Sequence, residues 1–161
     1  GNRRSGDDPG SRPAPARPAE APSTRTARGA GFARTRDGMN LTLEELAAAC
    51  GLPTAGVKEL ERFGLISSRD VGGTGYYDEE ALAVANLAAG FAGHGVEARH
   101  LRMYKNGAER ESGLFEQVVM PLIKQRNPDA RRQAAATLEE LARLGGELRE
   151  ALLRHALGDA F

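Results

Sequence analysis

The chain has 161 residues and balances 22 Lys and Arg against 22 Asp and Glu, so its formal net charge is zero. Its single cysteine, Cys50, excludes an intrachain disulfide and is typical of a reducing, intracellular compartment. The sequence has no apolar run of the roughly 18 residues that a membrane helix needs and no apolar signal core, so we expect a soluble, cytoplasmic protein without membrane contacts.

Residues 1–40 and 41–161 differ in composition and in charge. The first forty are rich in Pro, Ala, Arg, Gly and Ser, and their eight arginines against four acids give a net charge of +4. Such a segment cannot bury enough apolar surface to offset its ordering entropy, so we predict a disordered linker. Residues 41–161 suit one domain and carry fourteen basic against eighteen acidic residues, a net charge of −4.

The first predicted elements of the domain are two short helices. Thr42 and Glu45 form a capping-box signature before the run LAAAC, and Gly51 is placed to end this helix. A second helix begins after GLP, carries the pattern VKELERF and ends at Gly64. Together they predict a helix-turn-helix.

A glycine-rich hairpin is expected next. The turn VGGTG supplies residues that tolerate positive φ, and the pair YY suits a short strand. Asp78 is placed to cap a third helix, which ends near GHG, and VEARHLRMY should start a fourth. The order is that of a winged helix-turn-helix.

Two further helices are predicted beyond Asn106. Apolar residues between positions 114 and 123 indicate an amphipathic helix, which the polar segment KNGAERE should precede as a turn and Pro121 should interrupt or kink. Asn127 and Pro128 then begin a last helix that could reach Leu157, a length of roughly 45 Å. The fold class is therefore mostly α: a degenerate winged helix-turn-helix with a small two-strand wing, followed by two further helices, the last one long.

Apolar and small residues on the last helix recur at spacings of four and three, the rhythm of a coiled coil. This helix either packs on its own domain or forms the seam of a homodimer. Its length and terminal position favour the seam, whereas two glycines and a polar histidine within the pattern weaken it. The candidate seam residues are Leu138, Leu141, Gly145, Leu148, Leu152 and His155.

Two long stretches carry a family resemblance. The text LTLEELAAACGLPTAGVKELERFGLI, followed by GGTGYYDEEALAVANLAAGFAGHGVEARHLRMY, has a helix pair, a Gly-Leu-Ile step, a Gly-Tyr wing and an acid-capped helix in that order. Over residues 41–105 this order resembles the MerR family of bacterial regulators. The continuation GVEARHLRMYKNGAERESGLFEQVVMPLIKQRNPDARRQAAATLEELARL is similar to the C-terminal domain of the actinobacterial FtsR type, which extends the resemblance over residues 41–157.

The resemblance implies a MerR-like domain that repeats the winged shape, senses an effector or partner and assists homodimerisation. DNA would be read by an amino-terminal winged domain that this sequence lacks, and the full-length protein would be a nucleoid-associated transcription regulator. The alternative is an interaction module whose acidic helical face contacts another transcription or cell-division protein.

A group of polar residues between positions 99 and 117 is the candidate effector site. Arginine forks suit phosphate or carboxylate groups, and Tyr or His rings can stack on a base, so an anionic small molecule or a nucleotide is the candidate effector. The predicted turn would bring Arg110 and Glu111 back towards His100 and Tyr104. The alternative is an Arg-to-Glu network joining two helices. The candidate residues are Arg99, His100, Arg102, Tyr104, Arg110, Glu111 and Gln117.

Neither catalysis nor direct DNA reading by this domain is expected. The sequence has no nucleophile elbow, P-loop, dinucleotide fingerprint or zinc-like spacing of Cys and His, so we predict no catalytic residues, no cofactor and no metal. The recognition-like helix offers Lys58 and Arg62 against two glutamates, and the turn region offers Arg69. Phosphate and base contacts need more spare cationic side chains than these.

Overall fold

A computed structural model describes residues 38–158 and residue 160 of the chain. These residues form five helices and one two-stranded antiparallel sheet, which confirms the mostly α class and the small wing. The linker predicted for residues 1–40 lies outside the described residues except at positions 38–40. The elements are α1 (Leu43–Cys50), α2 (Thr54–Arg62), β1 (Arg69–Val71), β2 (Thr74–Tyr76), α3 (Glu79–Ala92), α4 (Ala98–Lys124) and α5 (Pro128–Leu157).

Side-chain caps set the starts of three helices. At α1, the Thr42 hydroxyl accepts from the Glu45 amide at 3.3 Å and the Glu45 carboxylate accepts from the Thr42 amide at 3.4 Å, which confirms the capping box. Asp78 caps α3 and Asn127 caps α5, through amide-to-carboxylate and amide-to-carbonyl bonds of 2.9 and 2.8 Å. Each cap satisfies an amide that the first helical turn leaves without a partner.

The wing is a tight hairpin. Gly72 and Gly73 form its two-residue turn with φ values of 61° and 85°, a conformation that side chains with a Cβ rarely adopt. Beyond the paired strands, Leu41 and Tyr77 form an isolated antiparallel bridge, with N–H···O distances of 2.9 and 2.7 Å between their backbones. The chain therefore enters the domain hydrogen-bonded to the end of the wing.

One core holds together α1, α2, the wing, α3 and the first turns of α4, which we call the head. Leu46, Val57 and Ala85 are completely buried there, and Tyr77 from the wing and Leu101 from α4 are also buried. Burial of a Leu or Val side chain stabilises a fold by roughly 1.5–3 kcal/mol. The helix-turn-helix thus has a continuous apolar interior to which α4 contributes.

The turn predicted at KNGAERE is wrong, because α4 runs unbroken from Ala98 to Lys124 and continues through Pro121. A mid-helix glycine such as Gly107 lowers helix stability by only about 1 kcal/mol relative to alanine. Tertiary packing outweighs this, since Leu101 is buried in the head and Val119 is buried beside α5. Pro121 removes only its own amide from the helical hydrogen bonds, and α4 ends three residues later, at Lys124.

Helices α4 and α5 form an antiparallel pair, which we call the hairpin. Ala130 and Ala134 of α5 and Val119 of α4 are buried within this pair of helices. Further along, Gly145 allows close approach: a Cβ there would overlap the Glu111 carboxylate and lie 3.6 Å from the Phe115 ring. The small residues of α5 therefore set the spacing of the two helices.

The adjacent glycines of α5 provide a matched test of this spacing. A Cβ at Gly146 would meet nothing within 4 Å, so Gly146→Ala should raise the free energy of unfolding by about 0.5–1 kcal/mol through helix propensity. Gly145→Ala should gain less or destabilise, because the new methyl displaces the Glu111 side chain. Urea denaturation would measure both, and equal gains would contradict close approach at Gly145.

Candidate functional site

A cleft of about 450 Å³ opens on the head where α2 faces α3 and the beginning of α4. Small side chains make this space, since Ala88, Ala92 and Ala98 stand where larger apolar residues would fill it. Its charged lining residues are Glu59 of α2 and Glu97 and Arg99 at the start of α4. The remaining lining is apolar or small: Leu52, Pro53, Gly56, Leu60, Phe63 and Val96.

Phe63 lies on this cleft, close to two guanidinium groups. The Cζ atoms of Arg62 and Arg102 are 5.7 and 6.0 Å from the centroid of its half-buried ring, within the range of cation–π attraction. Arg62 also approaches the Glu59 carboxylate at 3.4 Å. Within the described part of the chain, Arg102 has no carboxylate within 4.0 Å, so its positive charge is not neutralised by an ion pair.

The first four residues of the predicted effector site separate by role. Arg99 lines the cleft and pairs with Glu97 at 3.0 Å, and Arg102 lies over the neighbouring ring. The Nδ1 atom of His100 accepts the Glu97 amide at 2.9 Å, which stabilises the start of α4. Tyr104 packs on Phe91 of α3, with ring centroids 5.6 Å apart.

The other three predicted residues lie further along α4 and do not fold back. Arg110 follows Arg99 by eleven residues on one helix, which corresponds to roughly 16 Å along its axis. Glu111 forms an ion pair with Arg149 of α5, which joins the two helices. Arg110 and Gln117 are exposed. An effector contact by any of the seven residues stays a prediction.

The sequence pattern placed Phe63 on one side of the second helix and did not indicate its place beside the cleft. Phe63 is the C-terminal cap residue of α2, so its ring lies at the helix end, where α4 arrives. Its position directly before Gly64 was the available signal. The contact of Arg102 with the Phe63 ring depends on tertiary packing, so the local sequence does not predict it.

Glu61 joins α2 to the wing, a role that sequence reasoning also missed. Its carboxylate accepts hydrogen bonds from the Ser68 hydroxyl at 2.7 Å, the Ser68 amide at 3.2 Å and the Tyr77 hydroxyl at 2.9 Å. The Ser68 hydroxyl bond is the main factor that lowers the pKa of Glu61 below 4.5. Burial and the adjacent Glu61 carboxylate raise the pKa of Tyr77 to about 12. This glutamate therefore fastens the wing.

The surface that corresponds to a DNA reader has few unpaired cations. Arg62 pairs with Glu59, and the Arg69 guanidinium donates to the Asn40 side-chain carbonyl at 3.1 Å. Lys58 is exposed on α2. The geometry of helix and wing is present, but the surface offers only three cations, of which Arg62 is ion-paired and Arg69 is hydrogen-bonded to a neutral amide.

The predicted seam divides into two halves. Leu138, Leu141 and Gly145 are half-buried in the hairpin, and a role for them in a dimer seam stays a prediction. Leu148 and Leu152 are 60% and 58% exposed, and His155 is exposed as well. The second half of the stripe is therefore accessible to another chain.

Exposed apolar residues from both helices of the hairpin fall on one side. Leu114 and Val118 precede Phe115 and Val119, residues on the α5 side of α4, by one position each, and Leu144 precedes Gly145 likewise. In an antiparallel pair, positions one residue before the contact positions rotate to the same side. On α5, Leu148 and Leu152 follow Leu144 at intervals of four residues, about one helical turn each, and so continue its side of the helix. The apolar face comprises Leu114, Val118, Leu144, Leu148 and Leu152, each 46–60% exposed.

The described residues contain neither a metal-ligand cluster nor a helix suited to cross a membrane. No three His, Cys, Asp or Glu side chains among them cluster closely enough to hold a metal ion. None of their helices combines the length and apolar character needed to cross a membrane.

Comparison with known proteins finds relatives among transcription regulators. Residues 39–161 match the protein family described as Rv1828-like, C-terminal domain. Two curated relatives, named uncharacterized HTH-type transcriptional regulators Rv1828 of Mycobacterium tuberculosis and Mb1859 of Mycobacterium bovis, are each 32% identical over 122 residues. That is 76% of this chain and 48% of each relative, so the chain spans about half the length of the curated relatives it matches.

The Glu61–Tyr77 bond should appear in the pH dependence of stability. Tyr77→Phe removes a hydrogen bond to a carboxylate and should lower the free energy of unfolding by about 1 kcal/mol near neutral pH. Because the folded-state pKa of Tyr77 is raised from 10.0 to about 12, its stabilisation is complete below pH 10 and is lost as pH rises towards 12. Urea denaturation should show that the free energies of unfolding of the unchanged chain and of Tyr77→Phe approach each other as pH rises from 10 towards 12.

Tyr76→Phe is the matched control, because the Tyr76 hydroxyl makes no hydrogen bond among the described residues. The Tyr76→Phe variant should leave unchanged both the free energy of unfolding near neutral pH and its decrease between pH 10 and 12. If Tyr76→Phe and Tyr77→Phe behave alike, Glu61 does not fasten the wing through Tyr77.

Proposed function

The chain belongs to the Rv1828-like C-terminal domain family, and from this we propose that it is the effector-binding and homodimerising domain of a MerR-family transcription regulator. The names of its relatives support a regulatory rather than an enzymatic role. DNA reading is assigned to a separate domain of the full-length regulator. The present domain would control how two such readers are arranged.

The observation that carries this proposal is the apolar face of the hairpin. Five large apolar side chains from two helices stay about half exposed on one side, which is typical of a surface that another protein covers. The opposite, outer side of α5 is different, because Arg143 bonds both Glu140 and Glu147 there at 2.6–2.9 Å. Those ions satisfy one another in solvent. A second hairpin packed against the apolar face would bury its leucines and leave the ion pairs of Arg143 exposed to solvent.

A dimer of this kind connects effector binding to DNA spacing through α4. The first turns of α4 form one wall of the cleft, and its middle carries Leu114 and Val118 of the apolar face. A ligand that favours one placement of α4 on α2 would favour one arrangement of the two hairpins. Such a ligand acts by shifting the populations of dimer arrangements, and the attached readers follow.

The electrostatics support the division of labour between domains. The wing and α2 present only three cations, of which Arg62 is ion-paired, and residues 41–161 carry a net charge of −4. Affinity for a phosphate backbone comes largely from counterion release by unpaired Lys and Arg. The winged shape therefore serves as a scaffold for the cleft.

Charges placed in the apolar face should produce monomers. The variant Leu148→Glu with Leu152→Glu puts two carboxylates per protomer into the proposed seam, where unpaired buried charge is strongly unfavourable. Light scattering with size-exclusion chromatography should show a dimer for the unchanged chain and a monomer for the variant. A dimer that survives both charges would disprove the seam.

Leu153→Glu provides the matched control for this experiment. Leu153 is 58% exposed, as Leu152 is, but it lies nine residues after Leu144, which at 3.6 residues per turn is half a turn round α5 and so on the other side of the hairpin. The Leu153→Glu variant should remain dimeric. Dissociation by Leu153→Glu alone would place the interface on the opposite side.

The recognition-like helix, α2, should contribute little to DNA affinity. Lys58→Ala with Arg62→Ala should leave the affinity of the full chain for random duplex DNA within about twofold of the unchanged value, since α2 does not carry the contacts. The pair Arg25→Ala with Arg28→Ala removes the same charge from the basic N-terminal segment. Fluorescence anisotropy at several salt concentrations would compare them. A larger loss from the α2 pair would make α2 a DNA reader.

A further inference from the structure

We propose that the cleft between α2 and α4 binds an amphipathic organic anion, whose apolar body lies in the cleft and whose carboxylate, phosphate or sulfonate group meets Arg102. This inference rests on the effector-binding part of the proposed function and names the chemical class of the effector. It is independent of the dimer seam, which lies on the hairpin.

The walls of the cleft select an apolar body. Leu52, Leu60 and Val96 supply apolar surface, and the small residues between them leave about 450 Å³, a size typical of pockets for small organic molecules. The half-buried ring of Phe63 adds a flat wall at the α2 end. A fully polar ligand would leave these groups without partners, so an apolar or aromatic body fits best.

The unpaired guanidinium of Arg102, beside the cleft, favours an anionic ligand. Both lining carboxylates already have cationic partners, since Glu59 approaches Arg62 at 3.4 Å and Glu97 approaches Arg99 at 3.0 Å. Arg102 does not line the cleft itself, but its guanidinium lies 6.0 Å from the ring of Phe63, which does. No carboxylate of the described residues lies within 4.0 Å of Arg102. A free guanidinium beside an apolar cleft complements one negative charge on the ligand.

Phe63 prepares Arg102 for this role. The guanidinium lies 6.0 Å from the ring centroid, so part of its conformational freedom is already restricted before a ligand arrives. A cation held over an aromatic face keeps its outer N–H groups available as a fork for an oxyanion. Prior ordering of this kind reduces the entropy lost on binding.

The position of Arg102 also gives the ligand access to α4. Its neighbour Leu101 is buried in the head core, and the same helix continues into the hairpin. A ligand that bridges Leu60 or Phe63 of α2 and Arg102 of α4 therefore spans the joint between the two helices. This joint is where an effector would have to act.

Two naphthalene probes that differ in charge test the proposal on the full chain. The anionic probe is anilinonaphthalene sulfonate, and the uncharged probe is phenylnaphthylamine. Titrations followed by fluorescence use the Leu148→Glu, Leu152→Glu background, so that the apolar face of the hairpin contributes little binding. Under the proposal, Arg102→Glu weakens the anionic probe about tenfold or more and leaves the uncharged probe within about twofold.

Arg110→Glu is the matched control, because Arg110 is also exposed on α4 and also lacks an ion-pair partner among the described residues. It should not change either affinity. Ala92→Trp fills the cleft and should weaken both probes. Arg102→Gln, which keeps the side chain long and polar, should weaken the anionic probe less than Arg102→Glu does. Circular dichroism and thermal melts confirm folding of each variant.

The outcomes separate this inference from the dimer. Equal effects of Arg102→Glu and Arg110→Glu, or no effect of Ala92→Trp, would overturn the anion site. The same substitutions in the unchanged background should leave the dimer intact in light scattering. If the cleft variants lose probe binding and remain dimeric, the anion site is supported. If they bind both probes with unchanged affinity, the anion site is wrong and the proposed dimer is unaffected.

Discussion

The whole domain depends on the unbroken course of α4 through two separate apolar interiors. Leu101 is buried among the helices and wing of the head, and Val119, eighteen residues later, is buried beside α5. On a continuous helix that interval is roughly 27 Å, so the two interiors cannot reorient independently without bending the helix. The cleft lies at one end of this rod and the apolar face along its other part. Head and hairpin therefore behave as one mechanical unit.

Local signals were sufficient for most of the secondary structure. The caps at Thr42, Asp78 and Asn127 and the glycine turn of the wing are chemical requirements of the backbone within a few residues, and each stands where the sequence placed it. The continuity of α4 was not predictable in the same way. Its glycines weaken the helix locally, and the packing that compensates involves residues far away in sequence.

The candidate site shows the same limit more sharply. Arg99 and Arg102 were singled out from their chemistry, and both lie at or beside the cleft, yet the partners that define the place, Phe63 and the alanines of α3, come from other helices. Glu61 read as an acid that weakens a DNA-binding helix. Its three hydrogen bonds to Ser68 and Tyr77 connect residues up to sixteen positions apart, which periodicity and composition do not report.

The bridge between Leu41 and Tyr77 has a mechanical consequence. Its two opposed hydrogen bonds tie the backbone of Leu41 to Tyr77, the residue whose ring is buried in the head and whose hydroxyl donates to Glu61. Tension applied through the preceding segment is therefore borne in shear by both bonds at once, and it reaches α2 through the tyrosine ring. The backbone at residue 41 is therefore no free hinge, because it is held at the edge of the wing.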